Sequence, residues 1–232
     1  MQHIDWRSVG GSRDCANPAL VDRSPLYDQV KSVIDRAVAG LGLILLAPVL
    51  AVLALAIRLD SDGPVIFRQE RAGKAGRGFI LYKFRTMRVA CDDSLHRAAF
   101  ERFYRARSFE SGGVSTFKIE NDPRVTRAGR FLRASSLDEL PQLINVLKGE
   151  MSLVGPRPPI LYETRLYRAE HWRRLEVRPG MTGLWQVSGR GALPFEEMVR
   201  LDLDYIARRS LFLDLKILCL TVGAVISGRG AG

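Results

Sequence analysis

The chain has 232 residues, a formal net charge of +10 at pH 7 and 47% hydrophobic residues, which suits one folded domain with an appendage. Its positive charge predicts anionic partners, such as phosphorylated metabolites, anionic lipid or nucleic acid. Its three cysteines are odd in number and widely spaced. They argue against a disulfide framework or a zinc site and favour a reducing compartment.

The N-terminal region divides into two segments of different composition. Residues 1–24 are polar and lack hydrophobic periodicity, which predicts a flexible arm. Residues 25–36 carry apolar residues at helical spacing with basic residues between them, a pattern typical of an amphipathic helix. We expect this helix to lead into the apolar stretch that follows.

Residues 37–57 contain no polar side chain and are long enough to span a bilayer as one helix. Pro48, near the centre, predicts a break, because proline removes a backbone hydrogen bond. Basic residues flank the stretch on both sides, and positive charge marks the cytoplasmic side of a membrane. A re-entrant helix that breaks at Pro48 and returns to its own side places both basic flanks on the cytoplasmic side. A simple span and a buried core helix are the alternatives.

The sequence after residue 57 predicts a mixed α/β domain that is mainly helical. Two short strands joined by a glycine-containing linker predict a β-hairpin, and helical patterns follow. The predicted strands cover 64–70 and 78–85, and the predicted helices cover 137–148, 162–176 and 195–208. Residues 211–226 are apolar but contain Asp214 and Lys216, which favours an interfacial helix over a span.

An adjacent acid pair, Asp138 and Glu139, is the first candidate for chemistry. A structural explanation is available: Ser136 and Glu139 fit a capping box, or Asp138 is itself an N-cap. The functional explanation needs the same helix start, where a carboxylate stays ionised and can attack phosphorus. Neighbouring helical residues point about 100° apart, so one acid can attack while the other holds a metal.

Four cations are candidate phosphate ligands. Lys83 and Arg85 share one face of a predicted strand and could hold a diphosphate, although a solvated edge-strand face is the alternative. Arg133 lies five residues before Asp138. Arg157 stands between two prolines, which restrict its backbone. The binding of a phosphate by its guanidinium would therefore cost little further backbone entropy. A stiff structural loop would give the same pattern.

Several of these segments, in this order, resemble the motifs of the bacterial sugar transferase family, the monotopic phosphoglycosyl transferases. The resemblance runs from about residue 25 to residue 227. It rests on residues 83–87 (KFRTM), 122–133, 135–158 with its PRP sequence, 178–190, and the C-terminal Asp202, Asp204, Tyr205, Ser210 and Asp214.

The resemblance implies roles for individual residues. Asp138 matches the nucleophile and Glu139 the partner that coordinates Mg²⁺, while Arg157 matches an arginine that shapes the site near the phosphates. Pro48 matches the break of a re-entrant membrane helix. The family usually has serine before this proline, whereas Ala47 stands here.

The implied activity is transfer of a phosphosugar from a nucleotide sugar, most simply a UDP-sugar, to polyprenol phosphate (undecaprenyl phosphate). It is the first membrane step of exopolysaccharide or glycoconjugate synthesis. The implied place is the cytoplasmic face of the bacterial inner membrane, with membrane lipid but no nucleic acid as partner. The sequence leaves undecided whether the protein forms a homodimer. The rival hypotheses are a basic membrane-anchored adaptor that binds lipid or nucleic acid without catalysis, and a transmembrane transferase that uses no covalent intermediate.

These inferences divide the chain into four parts. We expect a flexible arm, an amphipathic lead-in with the re-entrant helix, a cytoplasmic catalytic domain and a short tail, at residues 1–24, 25–60, 61–227 and 228–232.

Overall fold

The computed structural model describes residues 25–88, 94–105, 122–189 and 193–226, so the predicted arm and tail lie outside the described residues. The fold is mainly helical, as the sequence predicts, and contains two small two-stranded sheets. The helices are α1 Pro25–Asp60, α2 Ser94–Arg105, α3 Arg127–Ala134, α4 Gln142–Lys148, α5 Ala169–Trp172, α6 Leu184–Ser188, α7 Phe195–Arg208 and α8 Leu211–Ile226. The strands are β1 Ile66–Ala72, β2 Gly78–Phe84, β3 Ser152–Val154 and β4 Gly180–Thr182.

Helix α1 runs without interruption through Pro48 for 36 residues, a length of about 54 Å. The predicted division into two halves at Pro48 is therefore not seen. Packing explains why the helix persists: buried positions lie on both sides of the proline, at Ala39 before it and at Leu53 and Ile57 after it. These contacts offset the cost of one missing backbone hydrogen bond, about 3 kcal/mol.

One stripe of α1 packs against the rest of the domain, and the opposite face is exposed and apolar. A Cβ added to Gly40 or Gly42 would lie 3.7 or 3.5 Å from a leucine of α4, so α4 packs closely on this stripe. The exposed face includes Leu41, Ile44, Leu45, Val52 and Leu55. Among the described residues, α1 is the one helix long and apolar enough to cross a membrane. Its exposure excludes the buried core helix.

Strands β1 and β2 form the predicted antiparallel hairpin, paired from Ile66 with Phe84 to Ala72 with Gly78. Strands β3 and β4 form a short parallel pair that the sequence does not predict. A Cβ on Gly180 would lie 2.1 Å from the backbone nitrogen of Gly155. Only glycine allows this approach, which sets the loop after β3 beside the turn before β4.

Two predicted helices differ from the structure. Residues 162–176 are two 3-10 turns flanking α5 rather than one helix, because the backbone at Tyr167 and Arg168 is extended. The acid pair lies on a 3-10 turn, Leu137–Glu139, ahead of α4. Ser136, the residue before this turn, has a left-handed backbone and no side-chain capping bond, so the capping box is not formed. The helices predicted at 195–208 and 211–226 are confirmed as α7 and α8.

Candidate active site

The acid pair is joined to the hairpin by a direct ion pair. Lys83 lies near the end of β2, and its Nζ is 2.6 Å from Oε1 of Glu139. The two side chains are partly exposed, at 18% and 27% of their surface. Asp138 forms no ion pair with another described residue, so the cation of β2 stabilises one acid of the pair more than the other.

The surroundings move the pKa values of the two acids in opposite directions. Burial raises the pKa of Asp138, and the charge of Glu139 adds to this effect, while Lys83 and Arg133 act against it. Burial also acts to raise the pKa of Glu139, but Lys83 and Arg157 outweigh it and the pKa is lowered. Glu139 is thus the stable anion of the pair, and Asp138 is the more basic carboxylate. Two neighbouring carboxyl groups whose pKa values differ in this way are suited to two different chemical roles.

A small cleft that is open to solvent lies beside the acid turn, and we call it the charged cleft. Its polar lining residues are Arg71, Lys83, Glu139, Gln142, Arg157 and Gln186. Three cations and one carboxylate therefore face the same space. This balance favours an anionic ligand.

Arg157 is half-buried on the loop after β3 and makes no hydrogen bond or ion pair with any other described residue. The loop is held by Arg71, whose Nη1 donates to the carbonyl oxygen of Pro158 over 2.8 Å. Burial and the neighbouring charge of Arg157 together lower the pKa of Arg71 to about 10, while Glu163 acts in the opposite direction. Two guanidinium groups thus share a region of positive potential, which a phosphate would neutralise.

Arg133 also lies at the acid turn. Its Nε donates to Oγ1 of Thr86 over 3.0 Å. Burial lowers the pKa of Arg133, and the charges of Asp138 and Asp122 act against that change. The structure therefore places Lys83, Arg133 and Arg157 near the acid pair, and their binding of phosphate stays a prediction.

Arg85 lies elsewhere, and the prediction that it shares a face with Lys83 is wrong. Strand β2 ends at Phe84, and the buried guanidinium of Arg85 turns to the C-terminal end of α1. It donates to the carbonyl oxygens of Ser61 and Asp62 at 2.6 and 2.8 Å. A cation at the carbonyl end of a helix is stabilising. Arg85 therefore secures α1 and has few N–H groups left for phosphate.

Two carboxylate sites can be compared as metal ligands. The acid turn offers two carboxylates, of which that of Glu139 lines the charged cleft, and this suits Mg²⁺, since Mg²⁺ keeps several waters and substrate oxygens. Glu170, His171 and Glu196 also lie close together. There, however, Arg168 already pairs with both glutamates, and the backbone N–H of Arg168 donates to His171 Nδ1. Lys83 also pairs with Glu139, but Asp138 forms no ion pair with a described residue, so the acid pair stays our candidate for the metal site.

The C-terminal acids, whose roles the sequence leaves open, are mainly structural. Buried Asp202 accepts from Nε of Arg174 over 2.8 Å. Asp214 accepts from the hydroxyl of Tyr205 over 2.7 Å and from Lys31 Nζ over 2.7 Å. The second group joins α7, α8 and the N-terminal turns of α1. The sequence signal for such a buried hydrogen-bonded acid is its position within an apolar helical stretch, as for Asp214 in residues 211–226.

The chain matches one protein family over most of its length. The model of the bacterial sugar transferase family matches residues 26–228. The chain is 44% identical over 202 residues to the galactosyl transferase CpsE of Streptococcus agalactiae, covering 87% of this chain and 43% of that protein. It is 42% identical over 214 residues to the UDP-glucose:undecaprenyl-phosphate glucose-1-phosphate transferase of Escherichia coli, covering 85% and 42%.

A relative of similar length is the exopolysaccharide production protein ExoY of Rhizobium meliloti. It is 39% identical over 209 residues, covering 89% of this chain and 90% of ExoY. The chain thus spans less than half the length of CpsE and of the E. coli transferase, but nearly all of ExoY. With the acid turn and cationic cleft in place, and with a family match over most of its length, the chain belongs to the bacterial sugar transferase family.

Proposed function

We propose that this protein transfers a phosphosugar from a UDP-sugar to undecaprenyl phosphate and releases UMP, as a step of exopolysaccharide synthesis. The observation that carries the proposal is the acid turn, where Glu139 is paired with Lys83 at a cleft shared with Arg157. The names of the relatives support the substrate class, since the E. coli relative is a UDP-glucose:undecaprenyl-phosphate glucose-1-phosphate transferase.

The proposed mechanism has two displacements at the sugar-bearing phosphorus. A carboxylate oxygen of Asp138 attacks this phosphorus, the bond to the bridging oxygen breaks, and UMP leaves with the electron pair. A phosphate oxygen of undecaprenyl phosphate then attacks the aspartyl phosphosugar. The acyl phosphate bond breaks, Asp138 is regenerated as a carboxylate, and undecaprenyl diphosphate sugar is formed.

The surrounding residues serve these steps through charge. Lys83, Arg133 and Arg157 would bind and orient the diphosphate, whose charge opposes attack by a carboxylate. Glu139, with Asp138, would hold Mg²⁺, which when bound neutralises phosphate oxygens and activates the phosphorus as an electrophile. The lowered pKa of Glu139 keeps it ionised for this purpose.

We further propose that α1 lies in the cytoplasmic face of the inner membrane and does not cross it. The support is that both ends of α1 are attached to the same domain. Lys31 pairs with Asp214 near the N-terminal end, and Arg85 binds carbonyls just after the C-terminal end. The exposed apolar face of α1 and the exposed Leu211, Phe212 and Leu215 of α8 would enter lipid. Pro48 would allow the helix to bend into a re-entrant shape within the bilayer.

Cysteine labelling tests this topology. In a variant whose three native cysteines are serine, single cysteines would replace Val33 and Asp62, which are exposed on either side of the apolar stretch. In sealed inverted and right-side-out vesicles, we expect both sites to be labelled only from the cytoplasmic side. Labelling of the two sites from opposite sides would establish a span.

The activity itself is tested by turnover. Purified protein in nanodiscs, with undecaprenyl phosphate and Mg²⁺, would be supplied with UDP-glucose or UDP-galactose, and released UMP would be measured. We expect UMP release that depends on the acceptor for continued turnover. A membrane-anchored adaptor would bind lipid but release no UMP with any nucleotide sugar.

A further inference from the structure

The loop after β3, which carries Arg157, is bound through its backbone on both sides of that arginine. Before it, the carbonyl oxygen of Pro156 accepts from the backbone N–H of Gly180, at the start of β4, over 2.9 Å. After it, the carbonyl oxygen of Pro159 accepts from the backbone N–H of Ala72, at the end of β1, over 3.0 Å. The position of the Arg157 side chain therefore depends on how this loop is attached to β1 and β4.

The segment from Pro158 to Ile160 is also bound by two charged side chains of opposite sign. Nη1 of Arg71 donates to the carbonyl oxygen of Pro158 over 2.8 Å. Oε2 of Glu163 accepts from the buried backbone N–H of Ile160 over 3.0 Å. A cation thus binds a carbonyl oxygen at one end of the segment, and a carboxyl group binds an N–H at the other. Hydrogen bonds to ionised groups are stronger than neutral ones, so these two contacts restrict the loop on the C-terminal side of Arg157.

A local role for Glu163 is the simpler explanation of its hydrogen bond. The backbone N–H of Glu163 donates to the carbonyl oxygen of Ile160 over 2.9 Å, so the two residues bind each other reciprocally. Glu163 begins the 3-10 turn Glu163–Leu166, and a glutamate that accepts from an N–H shortly before a helical turn is typical of a capping box. In this role alone, loss of Glu163 would lower stability and leave the phosphate site unchanged.

The electrostatic surroundings of Glu163 extend beyond its own turn. Glu163 is 9% exposed and Arg71 is 5% exposed, and neither forms an ion pair with another described residue. Burial raises the pKa of Glu163, while the charges of Arg71 and Arg157 act against that rise. A buried charge without compensation is costly. Glu163 therefore compensates part of the charge of the two arginines that line the charged cleft.

We propose that Glu163 is a positioning residue for Arg157, which acts by holding the backbone at Ile160 and by opposing the positive charge of Arg71 and Arg157. The inference rests on the proposed function and adds to it a residue that does not touch the substrate. Because Arg157 makes no hydrogen bond or ion pair with another described residue, its side chain is placed by the loop backbone. Glu163 and Arg71 hold that backbone before a phosphate arrives, which is a form of preorganisation.

A double-mutant cycle tests whether Glu163 acts through Arg157. The variants of the full-length protein in nanodiscs are Glu163→Met, Arg157→Met and the two combined. Glu163→Gln keeps an oxygen that can accept from the N–H of Ile160 and removes the charge. Glu176→Met is the matched control, since Glu176 is exposed and lies near Arg173. The measurements are the melting temperature and kcat/KM for UMP release, per folded enzyme, from a UDP-sugar that supports turnover.

For Glu163→Met we expect kcat/KM to fall about 10- to 100-fold, since displacement of a binding group by about 1 Å can cost about 100-fold in rate. Glu163→Gln should lose less, because it keeps the acceptor. In the Arg157→Met background, Glu163→Met should lower kcat/KM no further than about 2-fold, because the residue that it positions is absent. Glu176→Met should match the wild type. If Glu163→Met folds poorly, the same cycle is measured with Glu163→Gln.

Two results would overturn the positioning role. An unchanged kcat/KM in folded Glu163→Met would leave Glu163 as the cap of its own turn. Losses that multiply in full in the double variant would show that Glu163 acts on the site independently of Arg157.

Pyrophosphate binding separates this inference from the proposed function. If the wild type turns over no UDP-sugar, the proposed function fails, and the same cycle is measured as pyrophosphate affinity. The affinity should fall in each single variant and no further in the double variant. A wild-type protein that does not bind pyrophosphate would show that Arg157 is not a phosphate ligand, and the positioning role would fail with it.

Discussion

Lys83 and Glu139 are 56 positions apart in the chain, yet Lys83 Nζ lies 2.6 Å from Glu139 Oε1. This ion pair fixes the acid turn against β2 and lowers the pKa of Glu139. Asp138, one residue earlier, has a raised pKa because it is buried and lies beside the negative charge of Glu139. The ion pair at Glu139 and the burial of Asp138 therefore separate the acids into a stable anion and a more basic carboxylate.

Replacing Asp138 with asparagine tests the role of the reactive carboxylate. Asp138→Asn should reduce UMP release by roughly three orders of magnitude or more, since an amide cannot form the acyl phosphate. Its melting temperature should stay near that of the wild type, because Asp138 forms no ion pair with other described residues. Asp204→Asn, which changes a partly exposed acid of α7 paired with Arg208, is the control and should be fully active. A folded Asp138→Asn protein with near wild-type turnover would show that another group attacks phosphorus.

Glu139→Gln should also reduce turnover severely, through weaker metal binding and the loss of the Lys83 partner. If metal binding is the cause, the concentration of Mg²⁺ that gives half-maximal activity should rise in this variant. It should not rise in Lys83→Met, which keeps both carboxylates. Equal Mg²⁺ dependence in wild type and Glu139→Gln would assign Glu139 to positioning Lys83 alone.

Arg157 and Arg85 both belong to predicted phosphate-binding motifs, but they lie in different surroundings. Arg157 lines the charged cleft, whereas Arg85 binds backbone carbonyls at the end of α1. Arg157→Lys keeps the charge but loses the planar bidentate fork, so kcat/KM should fall about 10- to 30-fold, or roughly 1.4–2 kcal/mol. The melting temperature should hardly change. Arg200→Lys, at an exposed arginine of α7, is the control. Full activity of Arg157→Lys, or a loss only in proportion to lost folded protein, would make the PRP loop purely structural.

Arg85→Met should act through stability instead. The substitution leaves the carbonyls of Ser61 and Asp62 without their charged donor, which should lower the free energy of unfolding by roughly 2 kcal/mol or more. Turnover per folded molecule should stay close to that of the wild type. Denaturation curves combined with active-site-normalised rates measure both quantities. A stable Arg85→Met protein with a large loss in turnover would restore Arg85 to the phosphate site.

His171 should make the fold sensitive to mild acid. Burial lowers its pKa below that of an ordinary histidine, about 6.5, although Glu196 acts against this effect. The unfolded chain therefore binds a proton more readily than the folded protein, and the free energy of unfolding falls as the pH drops through about 6.5. Stability is fully present above that value. The melting temperature should fall more between pH 7.5 and 5.5 in the wild type than in His171→Phe. Parallel curves would mean that His171 is not the acid-sensitive group.

Much of this architecture can be predicted from the sequence, and the exceptions have physical causes. The hairpin, α7 and α8 follow from hydrophobic periodicity, and the acid pair, Lys83 and Arg157 are indicated by their motifs. The β3–β4 pair has three residues in each strand, too few for a periodic signal. The hydrogen bonds of Arg85 depend on the position of the C-terminal end of α1, which the alternation of side chains along a strand does not predict. The unbroken helix at Pro48 depends on packing along both halves of α1.

Trapping the aspartyl phosphosugar is the most direct test of the central claim. Wild-type protein in nanodiscs free of undecaprenyl phosphate would be mixed with Mg²⁺ and a UDP-sugar that supports turnover, quenched, and analysed by mass spectrometry beside the Asp138→Asn variant. We predict one equivalent of UMP per folded enzyme, with the phosphosugar attached to the peptide that contains Asp138, and neither signal in the variant. If UMP release required undecaprenyl phosphate from the first turnover and no adduct formed, the displacement would be direct and the account of Asp138 would be contradicted.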